Sequence, residues 1–146
     1  GQNARTKFPI KIVVFLSMSV EIKYKTKEQP KLPFSVMAEK VLGKDYELSL
    51  VFVEPHEMIE LNTTYRKKNY VADILSFPLT ESSGEIFICL EKVKEKALEV
   101  AHTFENHLAF LFIHGLHHLK GMDHGSRMDK EEKAIRSFFG IKGYED

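Results

Sequence analysis

HGLHHLKGMDH, residues His114 to His124, decides what this chain is built around. His114, His118 and His124 stand four and six positions apart, with Gly121 between the second and third. Residues four apart project from one face of an α-helix, so His114 and His118 can both reach one ion at about 2.0–2.1 Å. Glycine adopts positive φ without penalty and commonly follows a helix end, so Gly121 can turn the chain and return His124 as a third ligand. Three protein ligands leave one position open for water. Upstream, Leu108 to Ile113 is apolar on every side, which marks a buried helix whose imidazoles need partners. At about 100° per residue, His118 lies about 40° from His114 around the axis and His117 about 60° away on the other side. Geometry favours His118 as the second ligand. His117 either lines the cavity as a proton carrier or hydrogen-bond donor, or points to solvent.

The ligand spacing equals that of the zinc-peptidase signature H-E-x-x-H-x-x-G-x-x-H, whose glutamate is the general base. Here Gly115 occupies the glutamate position. A bound metal would still act as a Lewis acid and lower the pKa of its water towards ~7, so hydrolysis survives as a class while peptide cleavage loses its base.

The same stretch resembles the H-G-x-x-H-L-x-G-x-D-H signature of the YbeY family of bacterial metal-dependent endoribonucleases. Three more blocks agree in order and spacing: LNTTYR at Leu61 to Arg66, DILSFP at Asp73 to Pro78, and GEIFIC at Gly84 to Cys89. The resemblance covers roughly Glu47 to His124. Departures are Met122 for the usual tyrosine, His117 for leucine, Ala72 for threonine and Glu85 for aspartate. The resemblance implies zinc at His114, His118 and His124 and a functional arginine at Arg66. It also implies maturation of the 3′ end of small-subunit ribosomal RNA, ribosome quality control and partners on the small subunit. A guanidinium suits that task, being a permanently charged fork that fits phosphate oxygens where negative charge develops. Arg66, Lys67 and Lys68 would equally make a solvated helix end favoured by the dipole. Two roles stand side by side for Asp123: accepting the free ring N–H of a metal-bound histidine, or capping the turn after Gly121. General base is a third, with water on the metal preferred for that task.

At 146 residues the chain has the size of one domain and can bury a core unaided. Lysine plus arginine equals aspartate plus glutamate at 21 each, so RNA must be met by a local patch or with a partner's help. The lone Cys89 excludes an internal disulfide, fits a reducing cytosol and reads as a small apolar residue ending a strand. Ile12 to Leu16 follows basic residues but is too short for a signal peptide or a membrane span. Either Met18 is the natural start or residues 1–17 are an accessory strand of what reads as a soluble cytoplasmic protein, and Val20, Ile22 and Tyr24 alternate as a half-buried strand.

Punctuation places the other elements. A loop over Lys25 to Pro33 precedes a helix over Phe34 to Leu42 that Gly43 stops, and Glu47 to Val53 alternates as a strand. Pro55 opens a helix towards Arg66. Ile74 to Phe77 and Glu85 to Cys89 read as strands around a Ser82, Ser83, Gly84 turn. Glu91 to Ala101 is amphipathic, Thr103 caps the ligand helix with Glu105 in its first turn, and His102 and His107 are structural. Ser126 caps a last helix through Phe139, with Ile135 and Phe138 inward and Gly140 ending it.

The expectation is one α+β domain over residues 1–146, a small mixed sheet with surrounding helices and a zincin-like metal-binding central helix. The family resemblance also suggests that the Gly84 to Cys89 strand borders the metal cleft, where an exposed edge could bind an extended substrate. The expected activity is metal-dependent cleavage of single-stranded RNA. A zincin-like metallopeptidase and a non-catalytic ribosome assembly factor with structural zinc are the alternatives.

Overall fold

Apolar residues at period two write the strands, and the register between the two central ones fixes where the helices must lie. The computed structural model describes residues 20–144. Along it run β1 (Val20–Tyr24), α1 (Phe34–Leu42), β2 (Glu47–Val53), α2 (Pro55–Arg66), β3 (Ile74–Thr80), β4 (Ser83–Cys89), α3 (Leu90–Glu99), α4 (Phe104–Leu119) and α5 (Ser126–Phe139). The sheet order is β1-β2-β4-β3, with β1 and β4 parallel to β2 and β3 antiparallel to β4. This is the expected α+β architecture with a mixed sheet. The accessory segment expected over residues 1–17 lies outside the described residues.

Side chains alternate across β2, so the sheet has two apolar faces. Leu48, Leu50 and Phe52 join Ile86 and Ile88 against α1 and α4. Val51 and Val53 join Leu75 and Cys89 on the other face, against Met58 of α2. Phe34, Phe52 and Phe112 are fully buried, with Phe34 centred 5.7 Å from Phe52 and 5.1 Å from Phe112. Truncating such a ring costs about 3–5 kcal/mol, because the cavity left behind relaxes only in part.

Helix α4 lies at the centre, packed against α1, α3, α5 and β3. Ten of its sixteen residues are buried, which explains why its sequence is apolar nearly all round. Thr103 Oγ1 accepts the Asn106 N–H at 3.1 Å, the expected cap, worth ~1 kcal/mol.

Several boundaries differ from the sequence reading. The hairpin turn is Glu81 and Ser82, while Ser83 and Gly84 lie within β4. Gly84 is there for space: a Cβ would come within 2.5 Å of the Tyr46 hydroxyl and 3.0 Å of Leu119. Strand β4 is not an edge, since it lies between β2 and β3. The edge is β3, which tolerates Pro78 because an edge strand can forgo a ladder donor. Helix α3 runs from Leu90 to Glu99, and Ala101 at φ 58° breaks it before the expected end. Ser126 is the first residue of α5 rather than its cap, and Gly125 takes the cap position with no side-chain bond. Ile135 packs inward as expected, but Phe138 is exposed beneath Lys40 and Phe139 packs in its place.

Candidate metal centre

The two ends of α4 are tied differently, and the difference builds the site. At its C-terminal end Gly121 takes φ 88° and donates to His118 O at 3.0 Å, while Met122 N–H reaches His117 O at 3.2 Å. That closure satisfies the last carbonyls and turns the chain back over the helix. His124 thereby comes to face His114 and His118. The ring centroids are 4.6 Å apart for His114 and His118, 4.7 Å for His118 and His124, and 5.3 Å for His114 and His124. One nitrogen from each ring lies within 4.8 Å of the other two.

The donor set fits a metal. Nε2 of His114 and Nε2 of His118 are 3.1 Å apart. Two nitrogens sharing a tetrahedral zinc at about 2.05 Å each would stand about 3.3 Å apart, so little adjustment is needed. Burial, reinforced by His114, His124 and Arg66, lowers the pKa of His118 against the opposing pull of Glu132. A lowered pKa keeps the ring neutral, the state in which imidazole ligates.

Glu132 of α5 supports this centre, and no reading of the sequence singled it out. Its Oε2 accepts the Nδ1–H of His114 at 3.0 Å, which leaves Nε2 of His114 free to ligate. The carboxylate is only 4 % exposed. Burial pushes its pKa up, but the hydrogen bond from His114 and the charges of His114, His117 and Arg136 outweigh it, and the net shift is downward. Arg136 stands 3.8 Å from Oε1, and its guanidinium rests 5.0 Å from the centre of the Phe110 ring. Met128, Ile135 and Phe139 form the apolar stripe of α5, and Glu132 falls on it. A lone carboxylate on such a stripe was the available signal.

The expected residues divide cleanly. His117 does not point to solvent: it is 1 % exposed and donates Nδ1–H to Ile113 O at 2.8 Å. Asp123 is exposed and makes no hydrogen bond to a ligand ring among the described residues; the carboxylate found there is Glu132. Arg66 ends α2 and shares a cleft of about 720 Å³ with the three histidines. Edge strand β3, through Ser76 and Phe77, forms the facing wall. Cys89 is buried with its thiol pKa raised by burial, in keeping with a structural role. His107 is buried against the Tyr144 hydroxyl, and His102 meets the Asn106 amide, so both sit in structural contacts.

Gly115 has a steric reason for its place. A Cβ there would come 2.8 Å from Ile74 Cδ1 and 2.8 Å from Ser76 Oγ. The Ser76 hydroxyl also donates to Gly115 O at 3.3 Å, so α4 and β3 make their close approach at this residue. A side chain there would have to turn the tips of Ile74 and Ser76 aside, and the peptidase base is absent because the position is glycine.

The fold has counterparts among known proteins. The profile of a family described as endoribonuclease YbeY matches residues 17–138. Endoribonuclease YbeY of Alkaliphilus oremlandii is 42% identical over 106 residues, spanning 62% of this chain and 70% of that protein. The Staphylococcus carnosus protein of the same name is 40% identical over 125 residues, 77% of this chain and 81% of its own. A solution structure of a Thermotoga maritima protein superposes with a TM-score of 0.63 at 29% identity, covering 87% of this chain and 95% of that one. With the match running from before β1 into the last turn of α5, the chain belongs to the endoribonuclease YbeY family.

Proposed function

We propose that the protein is a metal-dependent endoribonuclease that hydrolyses phosphodiesters of single-stranded RNA, with zinc held by His114, His118 and His124. The carrying observation is that these three imidazoles and Arg66 line one open cleft. Family membership supports RNA as the substrate class. Ribosomal RNA, its small-subunit 3′ end in particular, is the proposed target, with small-subunit proteins as partners and the cytoplasm as the compartment. No helix among the described residues is long and apolar enough to cross a membrane.

Each side chain has a task that follows from its surroundings. Bound zinc would supply Lewis acidity and a water of lowered pKa. Glu132 fixes the ring of His114 and its tautomer through Nδ1–H. Arg66, exposed at the end of α2, is free to fork onto non-bridging phosphate oxygens and to oppose the negative charge that builds on them during cleavage. The wall made by β3 gives the strand a surface to lie against. Peptide cleavage is disfavoured because Gly115 leaves no carboxylate at the base position.

The test is chelation and reconstitution. Protein stripped of metal should lose cleavage of a single-stranded RNA and regain it with one equivalent of zinc per chain. Cleavage that persists at full rate without metal would rule the reading out.

A further inference from the structure

A second pocket opens beside the metal cleft, and no part of the site described so far uses it. Its volume is about 400 Å³, within the range of a small-ligand site. It shares Arg66, Asp73 and Ile74 with the metal cleft, so the two pockets adjoin across these residues. Beyond Arg66 it is lined by Tyr70 and by Lys92 and Lys96, one turn apart on α3.

Its lining side chains are net positive, with Glu95 and Glu99 also near Lys92. Arg66, Lys92 and Lys96 face the single carboxylate of Asp73, which stands 3.9 Å from the Lys96 ammonium and accepts the Ile74 N–H at 2.7 Å. Lys92 is paired with Glu95 at 2.6 Å, but Glu95 is more than half exposed. An exposed pair of this kind contributes little, so Lys92 can turn to a phosphate at small cost. The chain as a whole carries no net charge, which makes this local excess the kind of patch an RNA backbone requires.

Aromatic rings flank the cations. Tyr70 is 53 % exposed, yet its backbone carbonyl is pinned by the Asn62 amide at 3.0 Å, so the ring is presented from a fixed base. On the other side of Arg66, Tyr65 is exposed and packs on Phe77 of the cleft wall, their centroids 5.4 Å apart. Cations alternating with exposed rings bind unpaired nucleic acid, because backbone charge and base stacking need no sequence match.

We propose that this pocket is a subsite for the nucleotide next to the scissile bond: Lys92 and Lys96 hold its phosphates and Tyr70 stacks on its unpaired base. The proposal rests on RNA being the substrate and adds the direction of the strand, from the three histidines over Arg66 towards α3.

The probe is a fluorescent 2′-O-methyl single strand, which reports binding without depending on cleavage, added to zinc-loaded full-length protein. Lys92→Ala with Lys96→Ala should weaken Kd about tenfold and reduce the salt slope by about 1.4, at roughly 0.7 per phosphate contact. Tyr70→Ala should weaken Kd about tenfold with the salt slope unchanged, as loss of stacking requires. Zinc content and melting temperature check that the variants are folded. An unchanged Kd in both variants, with cleavage intact, overturns the subsite and leaves the ribonuclease reading standing. The predicted losses of binding in a protein that cleaves no RNA would keep the subsite and remove the ribonuclease reading.

Discussion

The two walls of the metal centre are built on opposite principles. On the α5 side Glu132 is buried, hydrogen-bonded to His114 and backed by Arg136, so one ligand ring is held before any ion arrives. On the α2 and β3 side Arg66 is exposed, and the cleft is wide open to solvent. The contrast teaches a division of labour. On the proposed function, the closed wall would set how well a metal is held, and the open wall what is done to a substrate. Substitutions on the two walls should therefore separate metal affinity from turnover.

The largest effect belongs to the shared centre. His118→Ala removes a ligand and should abolish both stoichiometric zinc binding and RNA cleavage, read by metal analysis and a gel assay; retained zinc at one per chain would mean that His118 is not a ligand. Next is the open wall. Arg66→Ala should lower kcat about 10²–10³-fold, the usual consequence of removing one charge-stabilising donor, while zinc content and melting temperature stay unchanged. A variant that loses its metal instead would erase the distinction between the walls.

The closed wall should show the converse. Glu132→Gln should weaken zinc affinity about 10–100-fold in a chelator competition, with kcat near normal once the site is saturated. Normal affinity in that variant would show that the buried carboxylate supports the fold and not the metal.

Smaller effects concern packing and protonation. Gly115→Ala meets only the side-chain tips of Ile74 and Ser76, which can turn aside, so a denaturant melt should change by less than about 1 kcal/mol, alanine's better helix propensity offsetting the crowding. Burial lowers the pKa of His107, and this group takes no part in the metal site. A folded-state pKa below the unfolded one contributes stability that is present above the unfolded value, about 6.5, and is lost as pH falls towards the folded value. Zinc-loaded protein should therefore melt at lower temperature as pH drops from about 7.5 to 5.5, and His107→Gln should flatten that slope. An unaltered slope would place the acid sensitivity elsewhere.

What could be read from the sequence depended on how local the signal was. His114, His118, Gly121 and His124 lie in one helix and its turn, where spacing alone dictates who meets whom. Strand β2, helix α1 and the Thr103 cap were legible for the same reason, since period and cap chemistry act over a few residues. Sheet order is a long-range property, so local pattern does not reveal that β3 covers the edge of β4. The Ser82, Ser83, Gly84 cluster has the composition of a turn, but Gly84 answers to Tyr46 and Leu119, distant partners that local reading cannot see. Glu132 is hard to see in the sequence because one charge among several in Asp129 to Lys133 looks solvated, and only its place on the apolar stripe sets it apart. His117 was hidden similarly: which side of α4 is buried depends on α1, α3 and α5 together.

The most direct test of this account is cleavage of single-stranded RNA by highly purified wild-type protein, Arg66→Ala and His114→Ala, prepared identically with zinc quantified in each. The account predicts cleavage by the wild type alone, with zinc retained by Arg66→Ala and lost from His114→Ala. Equal cleavage by all three would contradict it, since the activity would then belong neither to the metal centre nor to the arginine across the cleft.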